Sequence, residues 1–545
     1  MKKTFLFIIL AVVYFIPSYS QQQKKPKLVV GIMVDQMRDE YLYRFYDQYG
    51  ENGFKRLIRE GFNCRNIHYT YTPTVTGPGH TSVYAGTTPA YHGIVSNDWY
   101  DRKLKRTVYC CEDTTVQLLG TTSKGKGMSP HRLLSTNLSD ELKISTVGKA
   151  RVIGISLKDR AAILPAGHMA DAAYWFDTNN GNFITSTYYM KKLPEWVERF
   201  NNDKHSAKYL EKTWDLLKPI ESYPFSLPDD NPYEGKFKGK EKPVFPYNLK
   251  ELSLQNTPLY SIVYNSAFGN SILTDFAIEA LSKENLGKGE VTDLLAISYS
   301  SPDAIGHKFG PLSKEVNDNY LRLDEDIARL LATLDQTVGK GEYIVFLTAD
   351  HGVSESPKYL MDHGVPAGYL KTDSIQKSMT AFLNKKYGEG KWLEHFDGTN
   401  VYLNLTLIAS KDNISLADVQ FQLADFLRNF DGIAQVYTAT QMVQQSFTQH
   451  FPLLLQNGFY YKRSGDVMII TEPGWTDEPG IAATHSTGYS YDTHVPFVIS
   501  GPGITKGESF ETYSITDIAP TLSMLLKIKL PSACMGKPIS EAIAR

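Results

Sequence analysis

Short apolar runs at four distant places in the chain constrain its fold more than any other feature. They are rich in Val, Ile and Leu and cover residues 27–34, 151–157, 292–300 and 343–348. Such runs are typical of strands buried on both faces of a parallel sheet. Helical patterns lie between them, notably over residues 41–59, 271–286 and 314–334. The alternation predicts an α/β fold with a doubly wound, mostly parallel sheet.

The C-terminal part of the chain continues this pattern. A fifth apolar run, 495–500, is closed by Gly501-Pro502-Gly503 and followed by a helix with Ile518, Leu522 and Leu525 on one face. The rhythm is interrupted near residues 101–138, 193–257 and 354–479. We expect these stretches to be cap-like insertions on a single domain, residues 21–545.

The first twenty residues resemble a cleavable export signal. Lys2 and Lys3 precede an apolar run over residues 5–16, and Ser18-Tyr19-Ser20 supplies small residues before a cut. The apolar run is shorter than the roughly 20 residues that a spanning helix needs. We therefore expect a protein that starts at Gln21, has no stable membrane anchor, and is periplasmic or secreted.

Charge and cysteine content exclude several classes. The formal charge is −2, so nothing favours nucleic acid as a partner. The four cysteines, Cys64, Cys110, Cys111 and Cys534, form no CxxC or zinc-type spacing, and the sequence does not say which of them pair. A bound metal would therefore be held by His, Asp and Glu.

Metal-ligand residue types follow the predicted strands. They are Asp35, Asp303, His307, Asp350 and His351. Parallel strands end at the same edge of a sheet, where a ligand crevice forms, and Asp and His are ligands of zinc. His485, in a loop before the last strand, is a further candidate. The alternative is that Asp35 and Asp350 only cap the helices that follow them.

A threonine in residues 73–80 (PTVTGPGH) is a candidate for a catalytic role. Thr76 precedes Gly-Pro-Gly, after which a helix can start. Its hydroxyl would lie at a helix N-terminus, where backbone N–H groups and the helix dipole favour an anion. A bound metal ion could activate the hydroxyl as a nucleophile. The simpler alternative is a capping threonine without chemistry.

These motifs together resemble a known family. Residues 73–80, followed by Gly86–Ile94 and Asn97, are similar to the nucleophile segment of the type I phosphodiesterase/nucleotide pyrophosphatase group of the alkaline phosphatase superfamily. Residues 34–38, 301–307, 349–352 and 484–486 resemble its metal-binding blocks in the same order. The similarity is strongest to the PafA-type branch of periplasmic, threonine-dependent alkaline phosphatases.

The resemblance implies a two-zinc mechanism. Thr76 would be the nucleophile and would form a covalent phosphothreonine. One Zn²⁺ would be held by Asp303, His307 and His485, and the other by Asp35, Asp350, His351 and the Thr76 oxygen. Such paired ions are used in phosphoryl transfer.

The same resemblance assigns the substrate phosphate to Asn97, Lys158 and Arg160. Lys158 and Arg160 follow the strand at 151–157. A phosphate monoester carries close to two negative charges at neutral pH, and a diester carries one. Two extra cations therefore favour the monoester, and Arg can bind it with two hydrogen bonds. The alternative for residues 158–160 is a solvated turn.

The function implied is a zinc-dependent alkaline phosphatase, a monomer acting on small phosphate monoesters. The nearest alternative is a phosphodiesterase or nucleotide pyrophosphatase with the same two-zinc site. A sulfatase is disfavoured because Thr76 stands at the nucleophile position and the Cys-x-Pro-x-Arg pattern is missing. An inactive, zinc-stabilised binding protein is a third interpretation, disfavoured because every expected ligand type is present.

Overall fold

A mostly parallel β-sheet forms the centre of the protein. The computed structural model describes residues 25–478 and 480–544. In chain order the strands of this sheet are β1 (Leu28–Val34), β2 (Phe62–His68), β3 (Leu118–Leu119), β4 (Val152–Ser156), β5 (Ala172–Asp177), β6 (Asn182–Ser186), β7 (Asp293–Tyr299), β8 (Tyr343–Thr348), β9 (His494–Ser500), β10 (Gly507–Ser509) and β11 (Tyr513–Ser514). The five apolar runs of the sequence correspond to β1, β4, β7, β8 and β9.

The order of the strands confirms the predicted fold class. It is β10-β2-β9-β8-β1-β7-β4-β5-β6-β3, and β11 also pairs with β2. Strands β8, β1, β7, β4 and β5 are parallel neighbours, whereas β9 and β6 flank them antiparallel. Every residue of β1, β7 and β8 is buried. Burial on both faces explains why these strands read as unbroken apolar runs.

Four central strands end beside one another. Asp35 directly follows β1, and Asp350 and Lys158 come shortly after β8 and β4. Asp303 lies in the helix that starts after β7. Because parallel strands have their carboxyl ends at one edge, side chains from four distant segments converge there.

Helices connect and cover the strands. Within the described ranges, those of eight or more residues are α1 (Thr76–Ala85), α2 (Leu138–Ser145), α3 (Asp159–Ala166), α4 (Glu195–Asn202), α5 (Phe268–Lys283), α6 (Ser301–Phe309), α7 (Lys314–Leu334), α8 (Thr372–Tyr387), α9 (Leu416–Leu427), α10 (His450–Gly458) and α11 (Ile518–Leu526). The predicted helices 271–286 and 314–334 are α5 and α7. Ile518, Leu522 and Leu525 are buried on α11.

The single helix predicted over residues 41–59 is wrong. Two shorter helices, Tyr41–Arg44 and Phe54–Glu60, lie near its ends. The carboxylate of Asp324, on α7, accepts hydrogen bonds from the backbone N–H groups of Gly50 and Phe54, at 2.7 and 2.6 Å. The Asp324 carboxylate thus caps the N-terminus of the second helix. The local sequence gives no indication of this long-range contact.

The three predicted insertions differ in how they pack. Residues 101–138 contribute Val108, Cys110 and Leu133 to a small apolar cluster. Residues 193–257 place Trp196, Trp214 and Tyr247 in the main apolar core. Residues 354–479 contain a separate sheet, with strands Leu393–Phe396, Asn400–Leu403, Ile433–Thr438 and Val467–Thr471. That sheet has its own apolar core, to which α8 and α9 contribute. Whether these parts act as caps remains a prediction.

Two further expectations concern the termini and the cysteines. The predicted export signal, residues 1–20, lies outside the described residues. All four cysteines lie within them and are free thiols, and the Sγ atoms of Cys110 and Cys111 are 4.0 Å apart. Among the helices that the structure describes, none has the length and apolar character to cross a membrane.

We expect Gly31→Ala to destabilise the protein because β1 is packed too closely for a side chain at this position. A Cβ atom at Gly31 would lie 2.1 Å from the Tyr84 hydroxyl and 2.6 Å from the Phe346 ring. Overpacking of this kind costs about 1–3 kcal/mol of unfolding free energy, which thermal or urea unfolding measures. Gly289→Ala is the control, since a Cβ there has its nearest neighbour at 4.0 Å. Equal stability of the two variants would contradict the prediction.

Candidate active site

Two groups of side chains at the carboxyl edge of the sheet are arranged to hold metal ions. One consists of Asp35, Asp350 and His351, and the other of Asp303, His351 and His485. Within each group the ligand atoms all lie within 4.8 Å of one another, and His351 belongs to both. Carboxylate oxygens and imidazole nitrogens are the donors that zinc uses when no cysteine is present.

The second group extends to His307. Asp303 and His307 lie one helical turn apart on α6, and His307 Nε2 is 3.1 Å from Asp303 Oδ1. His485 Nε2 is 3.6 Å from the same oxygen. The His485 ring stacks on that of His351, with centroids 3.5 Å apart. His307 therefore borders the group of Asp303, His351 and His485 through Asp303.

The three imidazoles are held in one tautomer. The Nδ1 atoms of His307, His351 and His485 contact the backbone carbonyls of Ala483, Gly352 and Thr74, at 2.9, 3.0 and 2.8 Å. A carbonyl only accepts, so each Nδ1 carries the hydrogen and donates it. Each Nε2 then presents its lone pair, which is the arrangement found in histidine metal ligands.

Burial and charge shift the acidity of the carboxyl groups in opposite directions. Burial, together with Asp303 and Asp350, raises the pKa of Asp35 well above its usual range. Burial also acts to raise the pKa of Asp303, but Lys158 and His307 outweigh it and hold that pKa well below its usual range. Burial likewise opposes the ionisation of Asp350, whose pKa is nonetheless lowered by His351 and His80. Lys158 contacts both Asp35 and Asp303, so the other neighbours of each carboxyl group decide the direction of its pKa shift.

The imidazoles of the site favour the neutral form, which binds metals. Burial lowers the pKa of His351, although Asp350 acts against it. Burial and the neighbouring His351 and His307 lower the pKa of His485 strongly. His307 differs, because Asp303 outweighs burial and raises its pKa.

Unpartnered atoms show that the first group fits a metal ion. Among the described residues, Asp35 Oδ1, Asp350 Oδ2 and His351 Nε2 are buried and have no hydrogen-bond partner. Buried polar atoms are rarely left in this state without a function or a ligand. All three belong to one group, and they are acceptor or lone-pair atoms that a cation would satisfy.

Lys158 lies between the two groups. Its Nζ atom is 2.6 Å from Asp35 Oδ2 and 2.6 Å from Asp303 Oδ2. Burial acts to lower the pKa of its ammonium group, but Asp303 and Asp35 outweigh it, so that the pKa lies above its usual range. The sequence predicts contact with a substrate phosphate but not this bridge between carboxylates.

Thr76 faces both cations that follow β4. It is the first residue of α1 and is 1% exposed. Its Oγ1 atom lies 3.4 Å from Lys158 Nζ and 3.4 Å from an Arg160 guanidinium nitrogen. Arg160 is also held by the Tyr109 hydroxyl at 3.1 Å. A phosphoryl group at Thr76 would meet both positive charges.

Asn97 is hydrogen-bonded to the first turn of α1, next to Thr76. Its Oδ1 atom accepts a hydrogen bond from the Gly77 backbone N–H at 2.7 Å. This bond fixes the orientation of the amide, whose Nδ2 then has N–H donors for a substrate oxygen. Asn97 thus lies beside Thr76, where the sequence comparison expects it.

The structure adds two residues that the sequence did not single out as functional. Gln36 Nε2 donates to Asp303 Oδ1 at 2.8 Å, and the Gln36 backbone N–H donates to Asp350 Oδ1 at 3.1 Å. His80 Nδ1 donates to the Thr76 carbonyl at 2.9 Å and lies 3.3 Å from Asp350 Oδ2. The four-residue spacing of Thr76 and His80 on a helix could have indicated the contact between the His80 ring and the Thr76 carbonyl.

A second Asp-His-Gly sequence lies elsewhere. Asp362, His363 and Gly364 are exposed at the end of a short helix, and His363 belongs to neither metal group. Its Nδ1 donates to the Tyr359 carbonyl at 2.8 Å. Only the Asp-His-Gly that follows a buried strand contributes to the site.

Known proteins resemble this chain along nearly its whole length. The family model described as type I phosphodiesterase/nucleotide pyrophosphatase matches residues 29–490. A protein of Myroides odoratus named calcium-transporting ATPase is 43% identical over 528 residues, 96% of each chain. Alkaline phosphatase PafA of Elizabethkingia meningoseptica is 42% identical over 523 residues, 96% of this chain and 95% of that one.

Solved structures agree with this similarity. The crystal structure of wild-type alkaline phosphatase PafA matches with a TM-score of 0.91 at 42% identity, covering 96% of this chain and 99% of that chain. A PafA variant with one threonine, one asparagine, one lysine and one arginine substituted matches with the same TM-score of 0.91, at 41% identity and over the same shares of the two chains.

We expect His351→Ala to lower the metal content of the protein, because His351 is the one imidazole in the group of Asp35 and Asp350. After dialysis against buffer with a trace of zinc, bound metal per chain is measured by plasma mass spectrometry. His363→Ala, in the second Asp-His-Gly, is the matched control and should keep the wild-type content. Full metal content in folded His351→Ala would refute the assignment of His351.

Proposed function

The chain belongs to the type I phosphodiesterase/nucleotide pyrophosphatase family of the alkaline phosphatase superfamily, and we propose that it is a zinc-dependent alkaline phosphatase that hydrolyses phosphate monoesters. The environment of Thr76 is the observation that carries this proposal. Its buried hydroxyl lies 3.4 Å from each of two cations, Lys158 and Arg160, beside two groups of metal-ligand side chains.

Two Zn²⁺ ions are the proposed cofactors. One would be held by Asp35, Asp350, His351 and the Thr76 oxygen, the other by Asp303, His307 and His485. The unpartnered atoms of Asp35, Asp350 and His351 support the first site, and the Nε2 lone pairs of His307 and His485 are available for the second. When bound, such ions supply Lewis acidity, which lowers the pKa of a hydroxyl ligand and takes charge from a leaving oxygen.

The chain's own residues carry out the transfer in two steps. Thr76 Oγ1 gives up its proton to solvent and forms a bond to phosphorus, while the bond from phosphorus to the ester oxygen breaks and the departing oxygen takes up a proton, so that the alcohol leaves. Water then attacks the phosphothreonine, which releases inorganic phosphate and restores the Thr76 hydroxyl. Holding the reacting atoms in line in a buried site accounts for much of the rate in such reactions.

Lys158, Arg160 and Asn97 are proposed to bind the non-bridging oxygens. The relative whose crystal structure matches has a variant with substitutions at the same four residue types: Thr, Asn, Lys and Arg. A monoester dianion gains from two cations, whereas in a diester one of these oxygens carries a carbon substituent and no charge. The site therefore favours monoesters.

The remaining parts of the proposal concern partner and location. We expect a monomer that acts on small phosphate monoesters and is exported to the periplasm or secreted. One relative is named for ATP hydrolysis, so ATP belongs among the assay substrates. Its terminal phosphoryl group also carries several negative charges that Lys158 and Arg160 could bind.

We expect Thr76→Ala to lower kcat for p-nitrophenyl phosphate by about three orders of magnitude or more, as when other catalytic nucleophiles are removed. Thr76→Ser keeps a hydroxyl and should retain substantial activity. Stopping the reaction in acid and mapping phosphorylated peptides should find phosphate on residue 76 of the wild type. Thr70→Ala is the control, because Thr70 lies on the same segment but contacts Ser514. Wild-type activity in Thr76→Ala would refute the proposed nucleophile.

We expect Lys158→Ala and Arg160→Ala to reduce kcat/KM for monoesters more than for diesters. A charge-assisted hydrogen bond is worth roughly 1.5–3 kcal/mol, so each loss should cost about 10- to 150-fold on p-nitrophenyl phosphate. The measurement compares that ester with bis-p-nitrophenyl phosphate. The preference of the wild type should also shrink below about pH 6, where the monoester takes up its second proton.

Arg151→Ala controls for the loss of a cation, because Arg151 lies at the opposite end of β4 and pairs with Glu284 at the surface. Arg151→Ala should leave kcat/KM unchanged for both the monoester and the diester. Equal losses on both substrates in the Lys158 and Arg160 variants would favour the phosphodiesterase alternative.

A further inference from the structure

A buried carboxylate away from the metal groups is linked to the site by a chain of hydrogen bonds. Asp492 is 0% exposed and lies in the short helix Ser490–Thr493, just before β9. Its Oδ2 atom accepts hydrogen bonds from the backbone N–H and the hydroxyl of Thr487, at 2.8 and 2.6 Å. Thr487 is two residues from His485, so the carboxylate anchors the loop that carries a candidate metal ligand.

The anchored loop holds the nucleophile segment from two sides. The Thr74 hydroxyl donates to the Thr487 carbonyl at 2.8 Å, and the Thr74 carbonyl accepts from His485 Nδ1 at 2.8 Å. Thr74 is 0% exposed and precedes Thr76 by two residues. A shift of Thr487 would therefore move both the imidazole of His485 and the segment that leads into the nucleophile.

The loop has a conformation that needs such an anchor. Ser486, between His485 and Thr487, has φ of 97°, a region that residues with a side chain rarely occupy. Strained backbone of this kind persists only when the surrounding contacts hold it. The two hydrogen bonds from Thr487 to Asp492 and the contact of Thr72 Oγ1 with the Ser486 carbonyl at 3.3 Å provide that support.

The same short helix also contacts the loop that carries His351. The Gly352 backbone N–H donates to the Asp492 carbonyl at 2.8 Å, and the Val353 N–H donates to the Tyr491 carbonyl at 2.9 Å. A Cβ atom on Gly352 would lie 2.1 Å from the Tyr491 carbonyl oxygen, so the approach is close. Asp492 thus lies where the His351 loop, the His485 loop and the nucleophile segment meet.

We propose that Asp492 is a positioning residue, which fixes His485 and the Thr74–Thr76 segment relative to each other through Thr487. Among the described residues its hydrogen bonds join it to Thr487, Gly352 and Tyr489 rather than to a candidate metal ligand, so it would act through geometry. The proposal rests on the proposed function in so far as His485 is a zinc ligand and Thr76 the nucleophile. Within the described residues Asp492 Oδ1 has no hydrogen-bond partner, and burial raises the pKa of this carboxyl to about 7 despite the bonds from Thr487. Burying this carboxyl group costs free energy, and in the part of the chain that the structure describes only one of its two oxygens accepts hydrogen bonds. Both facts agree with a role other than stability.

The test measures zinc affinity and kinetics in the full mature protein. Zinc affinity is obtained by competition with a chromophoric chelator, and kcat and KM with p-nitrophenyl phosphate. For Asp492→Ala we expect zinc affinity to fall roughly tenfold or more, as for losses of outer-sphere partners elsewhere. We expect kcat to fall while KM changes little, because substrate contacts remain.

Asp324→Ala is the matched control for a merely structural effect. Asp324 is also buried, 2% exposed, and accepts two hydrogen bonds, from Gly50 and Phe54, neither of which belongs to the two metal groups. It should lower the thermal midpoint without changing zinc affinity or kcat. If Asp492→Ala loses stability as Asp324→Ala does and keeps wild-type zinc affinity and kcat, the positioning role is overturned.

A milder pair of variants keeps the proposal testable if Asp492→Ala fails to fold. Thr487→Val removes the hydroxyl donor and keeps the shape and the backbone N–H, whereas Thr487→Ser restores the donor. We expect reduced zinc affinity in the first and recovery in the second. The double variant Asp492→Ala/Thr487→Val should be no worse than Asp492→Ala alone. Equal zinc affinity and kcat in the two Thr487 variants and the wild type would overturn the proposal.

Failure of the proposed function gives a different result. A wild-type protein that binds zinc but hydrolyses no phosphate ester refutes the phosphatase, while the zinc affinities still test the positioning role. If the wild type is active and the Asp492 and Thr487 variants keep its zinc affinity and kcat, only the positioning role is refuted. A wild type that binds no zinc refutes both.

Discussion

Like charges forced together at one edge of the sheet are the constraint on which the rest of this structure depends. Asp35, Asp303 and Asp350 are buried there at the ends of neighbouring strands. Buried carboxylates repel each other and lose hydration, so they need cations close by. Lys158 meets two of them directly, and the third, Asp350, lies beside the imidazoles of His351 and His80. An arrangement that is this expensive for stability is typical of functional sites.

The apolar sheet makes this concentration of charge possible. Strands β1, β7 and β8 are buried along their whole length, so their ends are held rigidly. The ligands then need only short extensions beyond each strand to converge. His485 alone comes from a long loop, and its position depends on hydrogen bonds to Thr74 and through Thr487. Rigid elements hold most of the site, and a hydrogen-bonded network holds the part that lies on a loop.

Sequence reasoning found what is encoded locally. Apolar runs predicted the central strands because burial on both faces leaves an unbroken pattern, and Asp35 and Asp350 stood out because they follow such runs. It missed Gln36, His80 and the cap that Asp324 gives to a distant helix, because those contacts join residues far apart in the chain. It also did not predict that Lys158 bridges two carboxylates. The roles of long-range partners become visible only when the topology brings them together.

The sharing of His351 between two groups has a consequence for how the site fills. A neutral imidazole nitrogen has one lone pair, so His351 Nε2 can serve a single ion at any moment. If two ions bind, the ion that does not have His351 as a ligand would depend on the remaining side chains. On the side of Asp303 a substitute is at hand, because His307 Nε2 lies 3.1 Å from the same carboxylate, whereas Asp35 and Asp350 have no second imidazole in their group. If two ions bind, as proposed, we expect them to load sequentially with two distinguishable affinities, and the more weakly held ion would be the first to exchange with the surroundings.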